Sequence, residues 1–93
     1  MAIVRNLNSM EDITKQIREI LMSDWDPIGV KDITEAQDEY DMYISEIKSL
    51  ILKKASSEEI SEHLTWIERE RMGFSKPHEI KITNAVAKLS NLR

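Results

Sequence analysis

Apolar residues recur along this chain mostly three or four positions apart, the period of a helix buried along one stripe. In residues 9–23, Ile13, Ile17, Ile20 and Leu21 share one side, and Ser9 with Asp12 forms an imperfect capping box ahead of them. Residues 35–54 place Ala36, Tyr40, Tyr43, Ile44, Ile47, Leu50 and Ile51 on a second stripe, predicting the longest helix and the scaffold of the domain. Ser56 followed by Glu59 is a capping-box signature for a third helix carrying Ile60, Leu64 and Ile67, and Gly73 is placed to stop it. Pro77 suits the first turn of a fourth helix whose inner face is Ile82, Ala85, Val86 and Leu89. The connections are short, which favours antiparallel neighbours. The expected fold is therefore all-α: a compact four-helix domain over residues 1–93, with residues 1–8 (Ile3, Val4, Leu7) as a short extended N-terminal arm.

Helix one must end early in Ser23-Asp24-Trp25-Asp26-Pro27-Ile28-Gly29-Val30. Proline drives the preceding residue out of the right-handed helical region, so the end is expected near Ser23 or Asp24. Asp26-Pro27-Ile28-Gly29 matches a type I turn, with an acceptor at the first position, a preset φ at the second and glycine at the fourth. Trp25, Ile28 and Val30 read first as apolar plugs fastening this turn to the bundle, with the indole N–H needing a partner. The functional reading of the same stretch makes Trp25 an interface anchor beside Asp24 and Asp26.

Composition sharpens that second reading. The 93 residues hold 17 acids and 13 bases, a formal net charge of −4, which argues against general nucleic-acid binding. Seven of those acids (Asp24, Asp26, Asp32, Glu35, Asp38, Glu39 and Asp41) lie within residues 24–41 beside the single base Lys31. The rest of the chain is slightly basic. Such a field steers a basic protein partner. The candidate partner-binding residues are Asp24, Trp25, Asp26, Asp38, Tyr40, Asp41 and Tyr43.

Other chemistry finds little footing. With no cysteine, disulfides, thiol catalysis and cysteine-ligated zinc are excluded. The acids of residues 24–41 lack the glycine and terminal glutamate of a calcium loop. His63, with Glu59 and Glu62, is half of a carboxylate-bridged metal motif that His78 and Glu79 do not complete. No catalytic residue, metal ligand or cofactor is assigned. Arg69 and Arg71, two apart on a helix, point away from each other and form no phosphate clamp. No apolar run approaches a membrane span of roughly 20 residues, and the N-terminus lacks a secretory signal, so a cytoplasmic location is expected.

Trp25-Asp26-Pro27-Ile28-Gly29-Val30, followed by Ala36, Asp38-Glu39-Tyr40-Asp41, Tyr43, Glu59-Ile60, Leu64, Ile67-Glu68 and Met72-Gly73, resembles a widespread bacterial family of short uncharacterised helical proteins, YugE-like in character. The resemblance covers roughly residues 13–74 and implies a compact helical fold and a bacterial origin. It carries no catalytic assignment. The functional expectation is a non-catalytic protein-binding module, most concretely an immunity protein neutralising a basic bacterial toxin. The alternatives are a small metal-dependent enzyme built on the carboxylates and His63, and a homodimeric structural or housekeeping protein.

Overall fold

The computed structural model describes residues 13–92. The N-terminal arm and the Ser9–Asp12 capping box lie outside the described residues. Within them there are four α-helices and no strand. Helix α1 covers residues 13–20 and runs on through a wider π turn, Leu21–Trp25. Helix α2 is Ile44–Leu52. Helix α3 is Ser57–Trp66, extended by a second π turn, Ile67–Arg71. Helix α4 is Glu79–Leu89, followed by a single 3-10 turn, Ser90–Leu92.

Helices α1 and α2, and likewise α3 and α4, run antiparallel, as their cross-links show. For α1 and α2, Arg18 meets Asp41 while Thr14 meets Lys48; Glu46 links α2 to His63 of α3. Ser57, at the start of α3, lies 2.9 Å from the Ser90 hydroxyl just beyond α4, whereas Glu68 near the end of α3 reaches His78 before α4. One apolar core draws on every helix: Ile17, Leu21, Ile47, Ile51, Ile60, Leu64, Ile67, Ala85 and Leu89 are almost wholly removed from water.

Local sequence accounts for most helix ends. Ser56 caps α3 reciprocally with Glu59: the Ser56 Oγ accepts the Glu59 N–H at 3.1 Å, and Glu59 accepts the Ser56 N–H at 2.9 Å. Gly73 takes φ +77°, where a side chain is rarely tolerated, and lets the Phe74 N–H close back onto the Glu68 carbonyl at 2.8 Å. Helix α2 ends in the same manner without glycine. Lys54 adopts φ +62°, and the Ala55 N–H bonds the Leu50 carbonyl at 2.9 Å.

The long second helix is the main correction. Residues 34–43 are not α-helical; they form two separate 3-10 turns, Thr34–Ala36 and Asp41–Tyr43, joined by further turns. Successive i+3 bonds, from Ile33 N to Val30, Ala36 N to Ile33, Glu39 N to Ala36, Asp41 N to Asp38 and Tyr43 N to Tyr40, replace the i+4 ladder. The reason is burial. Of residues 31–39 only Ala36 is even partly covered, so no apolar stripe drives a regular helix there. The stripe takes hold only at Tyr40, Tyr43, Ile44, Ile47 and Ile51.

Candidate functional site

A buried polar joint links the two π turns. In each, a backbone N–H reaches back five residues: Asp26 to the Leu21 carbonyl at 2.8 Å, and Met72 to the Ile67 carbonyl at 3.0 Å. The first turn contains Trp25 and the second Glu68, both fully buried. The Trp25 indole Nε1–H donates to Glu68 Oε2 at 2.7 Å. The other carboxylate oxygen accepts the His78 backbone N–H at 2.9 Å and lies 2.8 Å from His78 Nδ1. Glu68 thereby ties the end of α1 to the end of α3 and the start of α4, satisfying an N–H that α4 itself leaves unpaired.

From sequence alone Glu68 received no buried role, yet a signal was present. It stands four residues after Leu64 and eight after Ile60, on the apolar stripe of α3, where an acid requires buried donors. Trp25 likewise falls four and eight residues after Leu21 and Ile17. It belongs to the helix stripe rather than to the connector, and α1 consequently runs one or two residues further than proline alone predicts.

A second polar knot fixes the connector. Asp26, buried with φ +33°, closes the expected turn by accepting the Gly29 N–H on its carbonyl at 3.1 Å. Its carboxylate accepts the Val30 N–H at 2.8 Å, the Lys31 N–H at 3.2 Å and the Tyr40 hydroxyl at 2.8 Å. The same hydroxyl accepts the Ile28 N–H at 3.2 Å. Burial, with the carboxylate of Asp26 adding to it, pushes the Tyr40 hydroxyl pKa well above its ordinary range. The Tyr40 and Tyr43 rings pack on Trp25 at centroid distances of 5.4 and 6.2 Å.

These contacts redistribute the expected binding residues. Trp25, Asp26, Tyr40 and Tyr43 are core residues, so the expectation that the aromatics serve as surface anchors is corrected: they hold the segment from beneath. Asp24 is paired with Lys88 at 3.1 Å. Asp41 grips Arg18 through both oxygens at 2.9 Å, and this contact, followed by the field of Asp41, raises the guanidinium pKa. Of the seven expected residues, only Asp38 is exposed with no side-chain hydrogen bond or salt bridge among the described residues, although its charge still acts on Arg18. Its surroundings are informative. Asp32, Glu35 and Glu39 are exposed in the same segment, together with Ile28, Ile33 and Met42, which stand 43%, 48% and 68% open to solvent. Between this segment and α1 lies a groove of about 350 Å³ that includes Met22, Lys31, Asp32 and Gln37.

Metal chemistry gains no support from this arrangement. Among the described residues, no group of three or more His, Asp or Glu side chains is gathered to hold an ion. His63 Nε2 lies 3.5 Å from Glu46, an ion-pair distance without hydrogen-bond geometry, and its ring stacks on Trp66. No described helix is long and apolar enough to cross a membrane. No family model, curated protein or solved structure matches the chain, so the functional reading rests on its own residues.

Proposed function

We propose that this chain is a non-catalytic protein-binding module that captures a basic protein through residues 28–42. The observation that carries this reading is the segment's two-sidedness. Asp26, Tyr40 and Tyr43 lock it onto Trp25 from within, while Asp32, Glu35, Asp38 and Glu39 face solvent beside Ile28, Ile33 and Met42. Acids of one sign accelerate encounter with a basic surface, and exposed aliphatic side chains supply area that is desolvated on docking. A segment already fixed by buried hydrogen bonds loses little conformational entropy when it binds. An immunity protein that covers the basic active site of a toxin is the most concrete role of this kind, and a cytoplasmic place of action goes with it.

The test is affinity capture from the producing cells, followed by equilibrium binding to the recovered protein at two salt concentrations. Asp32→Lys with Glu35→Lys reverses two exposed charges without touching the Arg18–Asp41 pair. The expected result is a loss of at least tenfold in affinity and a shallower salt dependence, with Ile33→Ala weakening binding separately. Equal affinity in wild type and both variants refutes the assignment.

A further inference from the structure

A second surface, sharing no residue with the 28–42 segment, lies between α3 and α4. There a groove of about 590 Å³ is lined by Ser61, Thr65 and Arg69 of α3, by Ser75 and Lys76 of the following loop, and by Thr83 of α4. Ser61, Thr65 and Arg69 recur every fourth residue and so present one edge of α3 to the groove. Among the described residues, none of these six side chains makes a hydrogen bond or ion pair. Several other bases are engaged: Arg18 by Asp41, Lys88 by Asp24, Lys81 by the Asp26 carbonyl, and Arg71 over the Trp66 ring. Two unengaged cations and four unengaged hydroxyls thus line one concavity of a volume usual for small-ligand sites.

We infer that this groove binds a small phosphate monoester with a hydroxylated body. A guanidinium offers paired N–H donors that match phosphate oxygens, and an ammonium adds a point charge to the same anion. Serine and threonine hydroxyls both donate and accept, which suits the remaining phosphate oxygens and the hydroxyls of the ligand body. Glu79 also lines the groove. Its carboxylate accepts hydrogen bonds from ligand hydroxyls and leaves the lining with only one net positive charge, which favours a single phosphate over a polyanion.

Isothermal titration of the full chain with glycerol 3-phosphate, inorganic phosphate and glycerol, at constant ionic strength, tests the inference. Saturable one-site binding of glycerol 3-phosphate is expected, with competition by inorganic phosphate and no heat from glycerol. Arg69→Gln or Lys76→Gln should weaken it at least tenfold, whereas Lys53→Gln, an exposed lysine outside the groove, should not. In the wild type, amide shifts on titration should cluster in residues 61–69 and 75–83, a readout independent of any variant. Absence of saturable binding up to roughly 5 mM ligand, well past a millimolar Kd, overturns the inference. So does binding that Lys53→Gln weakens equally, or shifts that fall outside the groove.

Discussion

Replacing Glu68 by glutamine changes neither shape nor volume appreciably, and so isolates the polar joint from the packing around it. The carboxylate presents an acceptor to the Trp25 indole N–H at 2.7 Å and another to the His78 backbone N–H at 2.9 Å. A carboxamide has one oxygen, so in either orientation its NH2 group confronts one of those donors. A buried donor left without an acceptor costs about 1–3 kcal/mol, and the surviving bond loses its charge assistance, worth roughly another 1 kcal/mol. Opposing this, glutamine removes a charge from a fully buried site whose ionisable side-chain partner is a partly exposed imidazole. Three protein nitrogens converge on the two carboxylate oxygens and replace the water lost on burial. The acceptor deficit therefore dominates, and Glu68→Gln should destabilise by about 2–4 kcal/mol. That is a large part of the roughly 5–15 kcal/mol by which such domains are stable. Urea unfolding gives the difference directly, and thermal melting should fall by at least about 8 °C, since 1 kcal/mol moves a domain of this size by roughly 4–8 °C. Trp25→Phe keeps an aromatic ring while deleting the donor, so Glu68→Gln should cost at least about 1 kcal/mol less in that background. A Glu68→Gln protein within about 0.5 kcal/mol of wild type, or a more stable one, would mean that relief of the buried charge wins and the joint is not what holds the three helix ends together.

Two further outcomes follow from the same contacts. Because Tyr40 has its pKa raised in the fold, its contribution is fully present below pH 10, the ordinary tyrosine value, and is lost as pH rises through the folded pKa; unfolding followed against pH should show this alkaline loss in wild type and a shallower one in Tyr40→Phe, and identical profiles would count against it. At the helix ends, Gly73→Ala should destabilise by about 1–2 kcal/mol, because the left-handed backbone is disfavoured for any side chain, whereas Lys54→Gly should gain up to about 1 kcal/mol by relieving the same strain. Open space surrounds the Gly73 position, so backbone strain accounts for the whole expected cost there, and melting temperatures moving in the same direction for both variants would refute the argument.

Much of the fold can be read from short-range chemistry. Apolar residues three and four apart mark the buried faces of α1, α3 and α4 because a helix returns to the same side in that interval. Ser56 with Glu59 and Gly73 delimit α3 through hydrogen bonds and dihedral limits that need only a few neighbouring residues. The turn at Asp26-Pro27-Ile28-Gly29 is local for the same reason. The candidate surface was legible only in part: the concentration of acid in residues 24–41 is plain, but which acids remain free is not.

That selection is a property of distance through space. Asp41 is consumed by Arg18, 23 residues earlier, and Asp24 by Lys88, 64 residues later. Trp25 finds the acceptor its indole requires in Glu68, 43 residues away, and the two meet where each helix widens by one residue. Residues 34–43 show the same limit from the other side. Their apolar spacing is helical, but the core begins only at Tyr40, so the preceding residues have nothing to bury against and settle into 3-10 turns. The sequence by itself determined the helical class, three of the four buried stripes and the local stops, since these depend on periodicity and on neighbours a few residues away. Tertiary structure decided which polar groups are spent inside and which are left exposed, because that depends on which distant residue arrives beside each one.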